Sequence, residues 1–420
     1  MTTALPGYDE AAALVAGYAA RLRRFRPAEE RVELALSTGR VLARPILADM
    51  DQPPFARSTR DGFACRAAEA SENKQLVVAG STRAGEAPAG PLAPGAAWEI
   101  MTGGAVPPGA DAVFMVEHAE ATAGKVRLLK PRAVKPGENI VAQGAQARAG
   151  DELLPAGTVM TYAQAALAAS CGCAALDVFK RPRVAILATG DELVSVEASP
   201  GPGQIRNSNA PMLAAMVAPT GGEAWVLPTA ADTAGALDAA LAQAAEADLL
   251  IITGGVSAGK FDLVEPALAR AGARFHFTGV RIQPGKPLVF GEMPRGGNAS
   301  QRPALPFFGL PGNPVSSAVT FLLFAAPVLA ALAGRWELGP RFALARMAST
   351  ADRHGKPGLT RFLPARCDFG TSGGELPEAE FVPWHGSGDL GALARSNCFL
   401  VVPEAAHGLE PGAIVRILLA

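Results

Sequence analysis

Residues 248–262, DLLIITGGVSAGKFD, contain the residue types that proteins use to hold phosphate. An apolar run ends in a turn with few side chains, and a polar loop then leads into a helix-like segment. The turn and loop residues that could contact a ligand are Thr253, Gly254, Gly255, Ser257, Lys260 and Asp262. Glycine lets a ligand approach the backbone, and the unpaired N–H groups of a helix start attract anions. The spacing therefore predicts a strand, a phosphate-binding loop and a helix.

Carboxylates are expected beside this loop. Asp191 and Glu192 follow another predicted strand, VAILATG, and should lie near Asp262 at the same edge of a sheet. Carboxylates next to a phosphate loop usually bind Mg²⁺, which bridges carboxylate and phosphate oxygens. Alternatively, Asp262 and Glu265 form a helix capping box. The presence of further strand-end loops favours the functional interpretation.

Two more turns could contribute to the same site. QPGKPLVF, residues 283–290, places Lys286 between prolines that stiffen the loop and aim its ammonium, which suits an oxyanion. The alternative is an ordinary hairpin turn with an exposed lysine. GLPGNPVSS, residues 309–317, predicts a turn into a helix start with Ser316 and Ser317 as donors, or else simple N-capping.

Other short motifs are uninformative by themselves. TRDGFA (59–64) and MTGGA (101–105) could each be a plain turn. The five histidines show no metal-binding spacing, and no GxSxG, HExxH or Walker-type motif is present.

The composition narrows the class of protein. A length of 420 residues with 49% hydrophobic and 18% charged residues predicts several domains with ample cores. The net charge of −1 argues against binding to nucleic acid. Five cysteines without a CxxC pair indicate reduced thiols, and the N-terminus shows no secretory signal, so a cytoplasmic location is expected.

Periodicity predicts α/β plus β architecture. Residues 8–24 and 28–39 read as two helices, and short β-like runs with Gly/Pro turns follow. Strands and helices alternate over 181–333, which predicts a mostly parallel sheet covered on both faces. After about residue 335 the pattern indicates a C-terminal β barrel or sandwich. The predicted domains are a helical and mixed subdomain (8–48 and 146–178), an inserted β domain (49–145), an α/β domain (179–333) and a C-terminal β-barrel domain (334–420).

Residues 315–334, VSSAVTFLLFAAPVLAALAG, are long and apolar enough to consider a membrane span. Pro327 interrupts the segment, and it lacks aromatic or basic anchors at its ends. A buried crossover helix is the favoured interpretation, with no membrane association.

The order of these motifs resembles that of the MoeA-type molybdopterin molybdenumtransferases, a family that includes the E domain of gephyrin. The resemblance runs from about residue 8 to the C-terminus. Its fragments are PPFARSTRDGFA (53–64), EIMTGGAVPPGADAVFMVE (99–117), KPGENI (135–140), ILATGDEL (186–193), GQIRNSNAPML (203–213), IITGGVSAGKFD (251–262), QPGKPLVFG (283–291), GLPGNPVSS (309–317) and HGSGDLGALARSN (385–397).

The resemblance implies a function. Members of this family transfer molybdenum from molybdate to adenylated molybdopterin and release AMP, with Mg²⁺ as cofactor. It also implies a homodimer whose site is shared between protomers, and exchange with a molybdopterin adenylyltransferase and recipient molybdoenzymes.

The resemblance further implies roles for individual residues. The catalytic positions are Asp61, Thr102, Glu192, Asp232, Asp262 and Lys286, with Asp262 and Glu192 contacting Mg²⁺ and with Asp61 and Thr102 supplied by the second protomer. The substrate-binding positions are Gly254, Gly255, Ser257, Pro287, Gly312, Asn313, Arg361 and Ser387.

Two positions depart from the family pattern. Gln283 stands where the family usually has the first lysine of KPGKP, and Arg60 stands where many members have an apolar residue. Strand alternation would place Arg281 on the same face as Gln283, so Arg281 could substitute for the missing lysine.

The departures keep other functions open. A divergent paralogue could bind the cofactor as a non-catalytic scaffold or prefer another oxyanion. Adenylyl transfer to molybdopterin is a third hypothesis, because the α/β segment also resembles that enzyme class, but the additional β domains argue against it.

Overall fold

The structure is a computed structural model of the chain, and it describes residues 5–71, 73–129, 132–255, 263–295, 303–351, 358–370 and 376–420. The chain divides into two compact units. The larger contains Met1–Ala43, Gly157–Thr161 and Leu176–Ala420, and the smaller contains Arg44–Ala156 and Tyr162–Ala175.

The N-terminal part of the chain is dominated by short strands. Its helices are α1 (Tyr8–Leu22) and α2 (Tyr162–Ser170), with single 3₁₀ turns at Leu34–Leu36, Ala67–Glu69 and Val116–His118. Its strands are β1 (Glu29–Glu33), β2 (Ile46–Leu47), β3 (Arg57–Ser58), β4 (Gly62–Cys65), β5 (Leu76–Thr82), β6 (Ala96–Ile100), β7 (Ala112–Met115), β8 (Ala119–Thr122), β9 (Lys125–Leu128), β10 (Ile140–Val141), β11 (Glu152–Leu154) and β12 (Ala175–Phe179).

The smaller unit is built around a six-stranded sheet with the order β7-β4-β6-β5-β9-β8. Phe63 and Phe114, on adjacent strands, stack with ring centroids 5.6 Å apart in its core. Two short antiparallel pairs, β3 with β10 and β2 with β11, complete the unit. The short apolar runs between Gly/Pro turns thus form β structure, as expected.

One predicted helix is wrong. Residues 28–39 form strand β1 followed by a 3₁₀ turn, and β1 pairs with β12. The two glutamates expected at a helix start make ion pairs: Glu29 contacts Arg26, and Glu30 contacts Arg40. Pairing with a distant strand has overridden the local helical pattern.

The middle part alternates strands and helices. Its strands are β13 (Arg183–Ala188), β14 (Leu193–Val194), β15 (Ile205–Arg206), β16 (Glu223–Val226), β17 (Leu249–Thr253), β18 (Arg274–Phe277), β19 (Ile282–Gln283), β20 (Val289–Met293) and β21 (Leu305–Leu310). Its helices are α3 (Asn209–Thr220), α4 (Ala234–Ala244), α5 (Val264–Arg270), α6 (Pro314–Thr320) and α7 (Ala326–Leu332).

These strands form a sheet with the order β16-β13-β17-β21-β20-β18. The first four are parallel to one another, and β20 alone runs in the opposite direction because it is antiparallel to both β21 and β18. This confirms the mostly parallel sheet. One face packs under α1, α3, α6 and α7, and the other under α4 and α5. Strands β13 and β17 are buried on both faces, which explains their continuous apolar sequences.

Residues Pro314–Leu332 are long and apolar enough to cross a membrane, but 83% of the most apolar window is buried inside the protein. This agrees with the predicted buried helix. A π-helical segment, Phe321–Ala325, precedes Pro327 and accommodates the missing proline N–H. The helix connects β21 to the C-terminal strands, so it is not a crossover within the sheet.

The C-terminal part forms a closed five-stranded barrel, which confirms the barrel prediction. Its elements are β22 (Phe342–Met347), β23 (Thr360–Asp368), β24 (Glu378–Phe381), α8 (Leu390–Arg395), β25 (Cys398–Val402) and β26 (Ile414–Leu419). The barrel closes through the β23–β25 pairing, and β19 adds to it beside β23.

Candidate functional site

Three neighbouring strand ends form the centre of the candidate site. Ala188 of β13 pairs with Thr253 of β17, and Thr253 pairs with Leu310 of β21. Because these strands are parallel and in register, the turns that follow them lie side by side at one edge of the sheet. This is the edge at which open α/β sheets bind ligands.

The glycines after β17 hold conformations that other residues rarely adopt. Gly254 and Gly255 have φ values of +92° and +61°. A Cβ at position 254 would lie 2.5 Å from the Thr189 carbonyl oxygen, and one at Gly312 would lie 3.6 Å from the Gly254 Cα. The loops after β13, β17 and β21 therefore meet at Gly254, and glycine is required there.

Carboxylates gather beside these glycines. Asp191 and Glu192 follow β13, and Asp232 follows β16, the adjacent strand. The Asp232 N–H donates to Asp191 Oδ1 at 3.0 Å. A Cβ at Gly190 would lie 2.5 Å from Glu192 Oε2, so the Glu192 carboxylate folds back over the end of its strand.

Burial and charge both act on Asp232. Partial burial raises the pKa of Asp232, and the negative charges of Asp191 and Glu192 raise it further, while a hydrogen bond with Asp191 opposes the shift. In the absence of a bound cation, the fold therefore disfavours the ionised form of Asp232 relative to the unfolded chain. A bound cation would relieve this repulsion.

We expect Asp232→Asn to raise the melting temperature at about pH 7.5, because the variant removes a charge that the fold disfavours. The pKa of Asp232 is higher in the folded than in the unfolded protein, so the penalty is present above the folded pKa and disappears as the pH falls through it. The gain should vanish below about pH 4 in a thermal-denaturation series.

Asp238→Asn is the matched control for this change. Asp238 is an exposed aspartate that pairs with Arg270 at 2.9 Å, so its loss removes an attraction rather than a repulsion. A destabilised Asp232→Asn protein at neutral pH would contradict the proposed charge balance.

Two predicted site residues, Ser257 and Asp262, lie outside the described residues. Helix α5 begins at Val264, with Leu263 at its N-cap position and no side-chain cap. Glu265 is thus the second helical residue.

The oxygen-only donor set fits Mg²⁺. Within the described ranges no three His, Cys, Asp or Glu side chains form a ready-made metal cluster. Mg²⁺ does not require one, because it typically takes one or two carboxylates and completes its shell with water and substrate phosphate. Glu192, one of the two predicted ligands, can supply such a carboxylate, and Asp191 and Asp232 add negative charge beside it.

The QPGKP loop fixes the backbone of Lys286 and leaves its side chain exposed. The Lys286 carbonyl accepts hydrogen bonds from the N–H groups of Val280 and Leu288, both at 3.0 Å. A Cβ at Gly285 would lie 2.5 Å from Thr320 Cγ2, so the loop rests on α6. Among the described residues the Lys286 ammonium has no ion-pair partner. Pro287, which follows it, is half-buried.

Arg361 is next to this loop but is enclosed. It pairs in register with Gln283 across the β19–β23 contact, is only 1% exposed, and its Nη2 donates to the Ala406 carbonyl at 2.8 Å. It can therefore contribute positive potential beneath Gln283 without reaching into solvent.

Arg281, the suggested substitute for the missing lysine, already has a carboxylate partner in the barrel. Its guanidinium pairs with Glu404 at 3.4 Å, and its Nη2 lies 3.1 Å from where a Cβ at Gly7 would be. Strand alternation alone could not show that Glu404, a residue of the barrel, lies beside Arg281.

A loop of the barrel domain contacts the turn after β21. Asn313 Nδ2 donates to Ser387 Oγ at 2.8 Å, and the Val315 N–H donates to the Ser387 carbonyl at 3.0 Å. Asp389 stabilises the Ser387 loop by accepting from the His385 N–H and the Ala392 N–H. Asn313 and Ser387 are therefore brought together, as their shared predicted role requires.

The serines predicted as donors at this helix start have internal roles. The Ser317 hydroxyl donates to the Pro311 carbonyl, and Ser316 and Ser317 are both buried. Their contribution is to shape the turn around Gly312 and Asn313.

In the smaller unit, Asp61 and Thr102 are hydrogen-bonded although they are 41 positions apart in the sequence. The Thr102 N–H and hydroxyl donate to Asp61 Oδ1 at 2.6 and 2.9 Å. These bonds lower the pKa of the exposed Asp61 carboxyl, so it is ionised at neutral pH. The segments that hold them are also linked by Ser58 N–H to Gly104 and Gly103 N–H to Ser58. Arg60, the departure from the family pattern, is exposed next to Asp61.

Sequence reasoning missed two buried residues at the strand ends. Asn209, the first residue of α3, donates from Nδ2 to Thr253 Oγ1 and to the Gly312 carbonyl. Thr189, at the end of β13, has a buried hydroxyl without a described partner. The available signal for Asn209 was the fragment GQIRNSNAPML.

The fold and site define a class of multidomain protein in which an α/β domain brings glycine turns and carboxylates together at its strand ends. Three family models match consecutive parts of the chain. Residues 7–172 match the MoeA N-terminal region (domain I and II), 185–331 match the "Probable molybdopterin binding domain", and 346–420 match the MoeA C-terminal region (domain IV).

Individual relatives agree. The molybdopterin molybdenumtransferase of Nostoc sp. is 36% identical over 403 residues, covering 93% of this chain and 88% of that protein. The Bacillus subtilis protein of the same name is 35% identical over 403 residues, covering 93% and 89%. The crystal structure of the molybdopterin biosynthesis moeA protein from Pyrococcus horikoshii OT3 is similar with a TM-score of 0.81 at 29% identity, covering 99% of this chain and 100% of that one. The chain belongs to the MoeA-type molybdopterin molybdenumtransferase family.

Proposed function

We propose that this protein inserts molybdenum from molybdate into adenylated molybdopterin and releases AMP in a Mg²⁺-dependent reaction. The observation that carries the proposal is the side-by-side register of three strand-end turns, which combines glycine loops with carboxylates in one place. The family relationship supplies the substrate class.

The glycine loops would hold the phosphates. Gly254 and Gly255 have no side chains that would keep a phosphate away from the backbone. The Gly254 N–H already donates to the Leu310 carbonyl at 3.3 Å, so we assign the Gly255 N–H to the phosphate. Gly312 and Asn313 form the neighbouring wall, and Ser257 is assigned to the same cradle from its place in the sequence.

The carboxylates would hold Mg²⁺ against those phosphates. We assign Glu192 and Asp262 as ligands and Asp232 as a third acidic group that orients the site. When bound, Mg²⁺ would offset the charge of the phosphoanhydride and of the departing AMP. The residues themselves hold the adenylate in place so that the phosphoanhydride is broken only when molybdate is positioned nearby.

The molybdate would lie at the QPGKP loop. Lys286 supplies a fixed ammonium, Pro287 stiffens the loop behind it, and Arg361 adds a buried positive charge. Ser387, held by Asn313, links this region to the phosphate end. A cationic pocket of this kind positions the oxyanion beside the pterin dithiolene.

We further propose a cytoplasmic homodimer whose site is completed by Asp61 and Thr102 of the partner subunit. The Asp61–Thr102 pair supports this, because its exposed and ionised carboxylate is preorganised by two hydrogen bonds. An adenylyltransferase would supply the substrate, and molybdoenzymes would receive the product.

The reaction is tested by incubating the purified protein with adenylated molybdopterin, Mg²⁺ and varied molybdate. We expect AMP release that requires both Mg²⁺ and molybdate. A protein that binds adenylated molybdopterin but never releases AMP would instead be the non-catalytic scaffold.

A further inference from the structure

Asn209 lies between the two turns that form the phosphate cradle. Its Nδ2 donates to Thr253 Oγ1 at 2.8 Å and to the Gly312 carbonyl at 2.6 Å. Thr253 directly precedes Gly254, and Gly312 lies against Gly254. One amide group thus connects the end of β17 to the turn after β21.

The orientation of this amide is determined by its partners. Gly312 contributes a carbonyl oxygen, which can only accept, so the nitrogen of the Asn209 amide must face it. The Asn209 Oδ1 is consequently buried, and in the described part of the chain it has no hydrogen-bond partner. An unpaired buried acceptor is unfavourable, and its presence indicates that both N–H donors are needed where they are.

The Gly254 N–H also links the two segments by donating to the Leu310 carbonyl at 3.3 Å, but that bond ends at β21 and does not reach the Gly312 turn. Among the described side chains, Asn209 makes the short bonds to both turns. Ser317 donates to the Pro311 carbonyl within its own segment, and Thr253 Oγ1 is 3.5 Å from both the Pro311 carbonyl and Ser317 Oγ. These longer contacts would allow the turns to shift, whereas the Asn209 bonds are short and point in two directions.

We infer that Asn209 is a positioning residue that fixes the spacing between the Gly254 and Gly312 turns, and thereby the placement of the adenylate phosphate. The expected effect of Asn209 on AMP release rests on the proposed function. The claim that Asn209 fixes the spacing of the two turns is independent of that function.

Asn209→Ala removes both bonds, and we expect kcat/KM for AMP release to fall about 100-fold, because small misplacements of reacting groups carry costs of that order. Asn207→Ala is the matched control. Asn207 is in the same fragment and accepts from the Ala210 N–H at 3.1 Å, but it does not join the two turns. It should lose some stability and keep kcat/KM within about threefold of wild type.

Asn209→Asp separates a positioning role from general destabilisation. A carboxylate cannot donate to the Gly312 carbonyl, whereas the protonated acid can donate to it and accept from the Thr253 hydroxyl. Activity relative to wild type should therefore rise as the pH falls from about 8 to about 6, since burial raises a carboxyl pKa. Asn209→Ala should show no such recovery.

Amide hydrogen exchange tests the spacing independently of activity. Residues 253–255 and 309–313 should exchange faster in Asn209→Ala than in wild type or Asn207→Ala. Unchanged exchange, or kcat/KM of Asn209→Ala within about threefold of an active wild type, would overturn the inference. If wild type releases no AMP, the proposed function fails, while the exchange result still decides the role of Asn209.

Discussion

Gly254→Ala is expected to lower kcat/KM for AMP release by about 100-fold or more, because it displaces the loop that holds the phosphate. The new Cβ would lie 2.5 Å from the Thr189 carbonyl oxygen, and the residue would have to keep a φ of +92°. Strain of this kind costs about 1–3 kcal/mol, so the loop would shift to relieve it.

Gly235→Ala provides the control for the Gly254 variant. Gly235 is exposed near the start of α4, and no described atom lies within 4 Å of where its Cβ would be. That variant should be as active as wild type. Steady-state kinetics of both, with a melting curve for each, distinguishes loop displacement from unfolding, and normal turnover by Gly254→Ala would refute the assignment of the cradle.

Lys286→Ala is expected to raise the molybdate concentration needed for half-maximal AMP release by about 100-fold, since it removes a preorganised cation from an oxyanion site. The Lys286 backbone is held by Val280 and Leu288, so the change should remove the charge without moving the loop. Lys180→Ala, a change at another exposed lysine of the same unit, should have no effect. Equal molybdate dependence in both variants would exclude Lys286 from the oxyanion site.

The complementary change, Gln283→Lys, restores the lysine that the family pattern has at this position. Arg281 is paired with Glu404 and Arg361 is buried, so neither arginine presents an unpaired charge at the surface beside Gln283. We expect Gln283→Lys to lower the molybdate requirement, and this gain should depend on the presence of Lys286.

The sequence predicted the fold correctly where the local hydrophobic pattern matches the way the segment packs in the folded protein. The run Leu249–Thr253 is apolar because β17 is buried on both faces, and the glycines after it mark the turn. By contrast, residues 28–39 carry a helical pattern but pair as a strand with β12, a contact that no local window contains.

The site was predictable only in pieces. Carboxylates and glycines at strand ends could be placed at one sheet edge by the geometry of parallel strands. The Asp61–Thr102 pair, the Arg281–Glu404 ion pair and the Asn209 bridge each join residues far apart in sequence. Spacing cannot reveal such contacts, and only the resemblance to a family had pointed to the first of them.

The same contacts bear on the departures from the family pattern. Gln283 retains a neighbouring positive charge in the buried Arg361, and Lys286 is present in a fixed loop. This arrangement favours an enzyme that works with one exposed lysine, rather than a scaffold that has lost its oxyanion site.

The most direct test of the proposed function is the molybdenum content of the pterin product. Purified protein is supplied with adenylated molybdopterin, Mg²⁺ and molybdate, and the released pterin is assayed for metal and for its ability to activate a molybdenum-free molybdoenzyme. We predict that AMP and molybdenum-bearing pterin appear in equal amounts. AMP release that leaves the pterin free of molybdenum would contradict the account.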